Sequence, residues 1–273
     1  MTQKIAIQGI KGSFHDRVVE EYYPQAPQLM QCLSFDALAK AVASGACDQA
    51  VMALENSIAG SILPNYALLD QYELVITGEH YLSIDHNLMA LPGQKIEDIQ
   101  EVHSHPMALL QCKNFFRDYP NIKLVESNDT AEEALKISKK KSTARGAIAG
   151  NRAAEIYGLE ILSPSIQTIK NNVTRFVIIQ KDKAEQSNDI SKAAWKFVLD
   201  HKRGSLATAL NVVSDCNLNV TKIQSLPVIE TPGKYAFFVD VTFDNHKDYF
   251  KAKSLLQIMA TAFKVLGEYR SGK

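Results

Sequence analysis

The sequence is short of several things, and each absence removes a class of function. It has no excess of positive charge: Lys plus Arg number 30 and Asp plus Glu number 30. A nucleic-acid-binding domain ordinarily carries a basic surplus, so nucleic acid is not an expected partner. No apolar run approaches the roughly 18 residues that a membrane-crossing helix needs, and no membrane partner is expected. An apparent strand begins at Ile5, which leaves no room for a signal peptide. The cysteines, Cys32, Cys47, Cys112 and Cys216, are scattered, with no Cys-x-x-Cys pair and no His at ligand spacing. They read as buried or half-buried thiols of a cytoplasmic protein, and no metal site is expected. Asn172 and Asn219 each begin a glycosylation pattern that has no meaning without a secretory route. The glycines before the first helix do not form G-x-G-x-x-G, so a dinucleotide is not expected either.

What is present is a globular composition, 46% hydrophobic over 273 residues, more than one average domain. Strand-like and helix-like stretches alternate. A strand at 4–8 runs into Gly9-Ile10-Lys11-Gly12-Ser13 and a helix over 14–23, with Ser13 as N-cap and Asp16 in the first turn. The glycine loop reads either as a tight turn or as an anion pocket of backbone N–H groups. A strand near 28–33, a helix from Ser34 to about 43 and a buried strand at 48–54 follow. Strands are expected at 74–76 and 81–91, with a break near Gly78. Shorter strands fall near Val102 and at 121–126, 146–149 and 159–162. Helices start after His105, after Asn128 or Asp129, and at Asn151. Such alternation predicts α/β structure with parallel sheets.

The blocks at about 1–78 and 80–162 share a layout, and 163–180 returns to the first, so two lobes with a cleft between them are expected. Residues 181–193 shift to polar and charged composition and read as a linker. Beyond it, 194–273 reads strand, helix, strand, a turn at Pro232-Gly233, strand, helix over about 247–263 and strand. That βαββαβ order is ferredoxin-like.

Four motifs carry polar chemistry. Glu55-Asn56-Ser57 ends a buried strand, a common ligand position. His105-Pro106 opens a helix that also carries Gln111-Cys112, and His105 reads first as a cap. Asn151 begins the helix that ends at Tyr157-Gly158. Asn172-Val173-Thr174-Arg175-Phe176 leads into the apolar Val177-Ile178-Ile179, placing a hydroxyl, a fixed charge and an aromatic ring together. Strand alternation puts Thr174 and Phe176 on one face and Arg175 on the other unless the backbone bends.

Taken in order, these motifs resemble those of prephenate dehydratase, and the tail resembles the ACT regulatory domain of that family. The resemblance covers nearly the whole chain. It implies a two-lobed catalytic domain like a type II periplasmic-binding fold over 1–180, lobe one being about 1–78 plus 163–180 and lobe two about 80–162, followed by the ACT domain at 194–273. It implies a carbon–oxygen lyase that converts prephenate to phenylpyruvate, water and carbon dioxide for phenylalanine biosynthesis, without metal or organic cofactor.

By the same resemblance Thr174 donates or relays a proton to the leaving hydroxyl, and Arg175 anchors a carboxylate or shapes the field. Phe176 walls the ring, and Asn56 and Gln111 orient substrate. Glu55, Ser57, His105 and Asn151 are supporting candidates. The loop after Gly9 lines the cleft, with Ile10 where the family usually has Pro.

The tail departs from the family. Gly204-Ser205-Leu206 stands for Gly-Ala-Leu, and Gln224-Ser225-Leu226-Pro227 for Glu-Ser-Arg-Pro. Losing the Arg removes a charge and five donors. Phenylalanine control through Gly204, Leu206, Gln224, Ser225 and Pro227 is therefore expected to be weak, altered or absent. ACT domains commonly pair, so a homodimer or homotetramer is expected. Two rivals stand beside this reading: an arogenate dehydratase, and a non-catalytic amino-acid sensor on the same fold.

Overall fold

A computed structural model describes residues 3–182, 189–228, 231 and 233–273. Residues 183–188 of the expected linker, and Pro232 of the expected turn, lie outside the described residues.

In chain order the strands and helices are β1 (Lys4–Gln8), α1 (Phe14–Tyr22), β2 (Gln28–Cys32), α2 (Phe35–Ala43), β3 (Gln49–Asn56), β4 (Gly60–Ser61), α3 (Leu63–Gln71) and β5 (Val75–Ser83). Then come β6 (Asn87–Ala90), β7 (Glu101–Ser104), α4 (Pro106–Cys112), β8 (Lys123–Glu126), α5 (Thr130–Lys140), β9 (Arg145–Ala149), α6 (Asn151–Tyr157), β10 (Glu160–Ser163) and β11 (Val173–Gln180). The chain finishes with β12 (Lys192–Val198), α7 (Ser205–Asp215), β13 (Asn219–Pro227), β14 (Tyr235–Thr242), α8 (His246–Met259) and β15 (Ala262–Tyr269).

Local chemistry sets most of these ends. Ser13 Oγ accepts from Asp16 N and caps α1, while Asp16 Oδ2 accepts from Gly12 N at 2.7 Å. Asp129 accepts from Glu132 N and caps α5, and Gly158, at φ 63°, ends α6. Helix α3 was not expected. Its apolar residues are spread around the helix rather than gathered in a stripe, so periodicity does not announce it.

The chain forms two compact units. The first holds the residues up to Leu38, Val51–Gly60 and Tyr81–Phe176. Within it β2, β1, β3 and β11 are successive neighbours, and β1 and β2 run parallel from Lys4↔Gln28 to Gln8↔Cys32. A second sheet has the order β10-β6-β9-β7-β8. Here β7 is parallel to β8 and β9, but β6 is antiparallel to both β9 and β10. The wholly parallel sheet that alternation predicted is thus corrected to a mixed one. No crossover helix precedes β6, so it slots in reversed between two strands that are themselves parallel.

The single strand expected at 81–91 is also corrected. β5 runs unbroken through Gly78 and ends at Ser83, and β6 starts at Asn87. The residues between them bond to 163–180, the crossing segment that returns to the first block: Ile84 N to Asn172 O at 2.7 Å, and Ile166 N to His86 O at 2.7 Å.

The second unit holds Ala39–Ala50, Ser61–His80 and the chain from Val177 onward. Its βαββαβ portion is a ferredoxin-like sheet in the order β13-β14-β12-β15, with antiparallel neighbours. Trp195, Phe197, Val239, Val241, Tyr249 and Leu256 form its core beneath α7 and α8. Helix α8 ends at Met259, short of the expected residue 263, because Ala262 and Phe263 pair with Val198 and Phe197. Strand β15 pairs in parallel with β5 at Gly267↔Ile76. Beside it the buried Lys192 donates to both Glu79 oxygens at 3.0 and 2.8 Å.

Candidate active site

Strand β11 begins at Val173, one residue after Asn172, and it is an interior strand of its sheet. Thr174, Arg175 and Phe176 are 7%, 3% and 2% exposed. Both edges of β11 are paired and both its faces are covered at this point, so no member of the triplet lies on an open face.

Ser57 staples the start of this strand. Its N–H donates to Val173 O at 2.8 Å, and its hydroxyl accepts from Val173 N at 2.9 Å and donates to Asn171 O at 3.2 Å. Asn56, one residue earlier, folds the following turn. Its Oδ1 accepts from Ile58 N and Ala59 N, each at 2.9 Å. Those two backbone donors settle which way the amide lies, since a carbonyl oxygen accepts and an amide nitrogen cannot.

Everything downstream follows from that orientation. Asn56 Nδ2 donates to Thr174 Oγ1 at 2.9 Å and to Asn172 Oδ1 at 2.7 Å. Asn172 is then left with its nitrogen for Gln111, donating to Oε1 at 3.0 Å. The same Oε1 lies 2.9 Å from His86 Nε2. Since that oxygen accepts, His86 must carry its proton on Nε2. Its Nδ1 is buried without a partner among the described residues, and burial holds the ring's pKa below the usual histidine range. Two donors end the network: the Thr174 hydroxyl proton and the Gln111 amide nitrogen have no protein acceptor among the described residues.

The supporting candidates divide. His105 is exposed and caps α4, its Nδ1 accepting from Met107 N at 3.2 Å, as its place before Pro106 predicted. Asn151 Oδ1 accepts from Arg17 Nη1 at 2.6 Å. Both line an open cavity of about 240 Å³ with Phe14, Glu21, Leu82, Ser83 and Asp85. Phe14 also meets the His86 ring edge-on at 5.8 Å between centroids, so the cavity wall adjoins the amide network. Glu55 is half-buried near the end of β3.

The glycine loop is a tight turn rather than an anion pocket. Three of its N–H groups are already used, Gly9 by Cys32 O, Gly12 by Asp16 and Ser13 by Ile10 O, and the one on Gly12 goes to a carboxylate, which disfavours an anion there. Gly9 has φ 91°, and a Cβ there would fall 2.8 Å from Asp129 Oδ2. Phe176 meets the buried His15 ring edge-on at 4.9 Å. Burial pushes His15 down to about 3.

Sequence reading missed His86, Arg17 and Asp85, and used Asn172 only as part of a motif. No periodicity or spacing marks them, because their partners lie far away in the chain.

In the second unit Gly204 stands at the N-cap of α7 with φ 85°. Leu206 lines a cavity of about 230 Å³ with Leu199, His201, Ser205, Lys234 and Tyr235. Gln224, Ser225 and Pro227 lie on β13, the outermost strand of its sheet. Gln224 Nε2 donates to Ser225 O at 3.1 Å.

A family model described as prephenate dehydratase matches residues 5–184. Among curated proteins, Arogenate dehydratase 2 of Petunia hybrida is 36% identical over 288 residues, covering 98% of this chain and 72% of its own length. Among solved structures, one described as GqqA, a novel type of quorum quenching acylase, has a TM-score of 0.89 at 27% identity and covers 98% of both chains. The prephenate dehydratase of Staphylococcus aureus subsp. aureus Mu50 has a TM-score of 0.85 at 26% identity, covering 98% of this chain and 100% of that one. The fold is accordingly α/β, with periplasmic-binding-like lobes and a ferredoxin-like domain. Among the described residues no helix is long and apolar enough to cross a membrane.

Proposed function

The chain belongs to the prephenate dehydratase family, and from that premise we propose that it converts prephenate to phenylpyruvate, water and carbon dioxide. The observation that carries the reading is the Thr174 hydroxyl, which accepts from Asn56 at 2.9 Å and keeps a proton with no protein acceptor among the described residues. A hydroxyl so arranged keeps its proton available to donate onward. Loss of the ring hydroxyl needs such a donor, and the aromaticity gained as carbon dioxide departs supplies the driving force. Assistance of this kind is worth roughly 10²–10⁴-fold. Thr is a weak acid, and Asn56 makes the oxygen a better donor by polarising it.

Gln111 Nε2 is the second donor and orients the substrate. Phe176 acts through its packing on His15 and shapes the wall. Arg175 is buried and acts as a fixed charge in the field at the reacting ring, while Arg17, on the cavity wall, is the guanidinium a substrate carboxylate can reach. Ser57 and Asn56 hold the strand start that carries Thr174. His105 acts as a helix cap, and Glu55 and Asn151 support the cleft wall.

Arogenate carries the same ring and leaving groups, with an amine in place of the keto group, so the same donors serve it. The name of the Petunia relative makes it the substrate to test beside prephenate. The acylase likeness calls for a different chemistry. Amide cleavage needs an activated nucleophile, and no base sits beside Thr174 in the network, while burial pushes the Cys112 thiol up to about 12.

We assign residues 1–180 to the dehydratase domain and 194–273 to an ACT domain, with 181–193 between them. The protein is proposed to be cytoplasmic and to form a homodimer or homotetramer through its ACT and catalytic domains. Phenylalanine is the proposed effector, weakened by the Gln224 and Leu226 replacements.

The test is phenylpyruvate formation from prephenate and phenylalanine formation from arogenate, wild type beside Thr174→Ala, with and without added phenylalanine. Turnover lost in the folded variant supports the reading. A well-folded wild type inactive on both substrates overturns it in favour of a sensor.

A further inference from the structure

We propose that His86 is a positioning residue for the dehydration: its Nε2–H, with Asn172, clamps Gln111 Oε1 and so leaves the Gln111 amide nitrogen as the end presented to substrate. The proposal rests on the dehydratase reading for its kinetic consequence, and on geometry alone for the clamp.

The geometry is a chain of forced choices. Two backbone N–H groups hold Asn56 Oδ1, which sends Asn56 Nδ2 to Asn172 Oδ1 and Asn172 Nδ2 to Gln111 Oε1. If Gln111 turned over, its nitrogen would face the Asn172 nitrogen, donor against donor. It would also face His86 Nε2, 2.9 Å from the present Oε1. That ring would then have to move its proton to Nδ1, which is buried without a protein partner. The His86 backbone is itself tied into the crossing, with Ile166 N on its carbonyl at 2.7 Å and Gln167 Oε1 on its N–H at 2.9 Å. The ring is therefore anchored from both ends, and Phe14 covers its face from the cavity side. One oxygen held by two fixed donors has a single low-energy orientation. A preorganised donor costs no reorganisation at the moment of reaction.

The charged and titratable groups around the ring do not undo this. Burial is the largest influence and lowers the ring's pKa, the Gln111 hydrogen bond and Asp85 raise it, His105 lowers it, and the net shift is downward. Protonation would in any case add a proton at Nδ1 and leave the Nε2–H clamp intact.

The experiment has a kinetic arm and a spectroscopic arm. In the first, kcat and KM are measured on whichever of prephenate and arogenate is turned over, for wild type, His86→Ala, His86→Gln, Gln111→Glu and the double variant His86→Ala/Gln111→Glu. Glu at position 111 keeps an accepting oxygen for Asn172 and His86 and replaces the donor with a second acceptor. We expect His86→Ala to lower kcat by about 10–100-fold, less than the roughly 10²–10³-fold for outright removal of a preorganised donor, because the Gln111 amide is loosened and not lost. His86→Gln, which restores an N–H, should recover most of it. In the Gln111→Glu background His86→Ala should change kcat less than about threefold, because there is no amide left to orient. A His86→Ala enzyme within twofold of wild type, or one losing as much in both backgrounds, overturns the proposal.

In the second arm, wild-type protein with ¹⁵N-labelled histidine is examined by NMR, His86 being identified by the signal missing from His86→Gln. A neutral ring protonated on Nε2 near pH 7 supports the clamp. A neutral ring protonated on Nδ1 overturns it. This arm decides the clamp even if His86→Ala does not fold, or if the wild type proves inactive on both substrates. That last outcome would sink the functional reading by itself.

Discussion

Asn56 holds Thr174 across 118 positions of sequence, its Nδ2 lying 2.9 Å from the Thr174 hydroxyl oxygen. The bond fills one acceptor site of the hydroxyl and leaves the proton to be given away. Thr174→Ser keeps the hydroxyl and should retain activity within about tenfold, whereas Thr174→Ala should lower kcat by roughly 10²–10⁴-fold. Steady-state rates on prephenate and arogenate, with circular dichroism to confirm folding, check both.

Asn56→Asp replaces the donating nitrogen with an acceptor and sets a carboxylate against Asn172 Oδ1 and Thr174 Oγ1. The turn bonds to Ile58 and Ala59 can survive, so the fold should persist. The loss should fall on kcat, by about 10²–10³-fold, as for removal of one preorganised donor. A change confined to KM would contradict the role given to Asn56.

His15 supplies a pH dependence of stability with a definite sign. Burial holds the folded ring down to about 3, against an ordinary value of 6.5. The unfolded chain therefore binds the extra proton first. The stabilisation is complete above about pH 6.5 and is lost progressively as pH falls toward 3. Its size is on the order of a few kcal/mol. Substituting His15→Phe should flatten this part of the stability–pH curve, which urea unfolding at successive pH values would reveal.

Lys192 and Glu79 form an ion pair whose side chains are 4% and 0% exposed. Gly272 N and the Ser271 hydroxyl also donate to the same carboxylate. Lys192→Met alone strands a buried charge and should cost about 3–5 kcal/mol. The double change Lys192→Met with Glu79→Leu should cost much less. Chemical denaturation of the two variants distinguishes a stranded charge from simple loss of packing.

Gly267 packs β15 against β5. A Cβ there would collide with Ile76 O and stand 2.7 Å from Ile76 Cβ. The obstacle is backbone, which cannot swing aside. Gly267→Ala should destabilise the second unit by about 1–3 kcal/mol, read as a lowered Tm. Gly233→Ala is a poor control because its φ is 88°, so a comparison at an exposed helical site such as Ser254→Ala serves better.

How far the sequence reaches can be argued from these same residues. Helix caps were legible because they act over a few residues, whereas the strand break expected near Gly78 was not there. Ser13 with Asp16, Pro106 after His105, Asp129 before α5 and Gly158 after α6 all stand where their side-chain chemistry predicted. The βαββαβ order of the tail was legible as well, because apolar period and turn residues are local signals. Family membership was readable from motifs whose order along the chain is itself information.

Strand neighbours were not legible, and with them went everything that depends on two distant segments meeting. The reversed placement of β6, helix α3 and the pairing of β5 with β15 came only from tertiary packing. So did the amide network. By itself the sequence determined which side chains could donate and accept, and roughly which element carried each. Only the tertiary structure decided that Asn56, Asn172, Gln111 and His86 share one chain of hydrogen bonds. The physical reason is range: sterics and capping bonds act within a turn of chain, whereas an amide's orientation depends on whichever polar groups the folded sheets bring to within 3 Å of it.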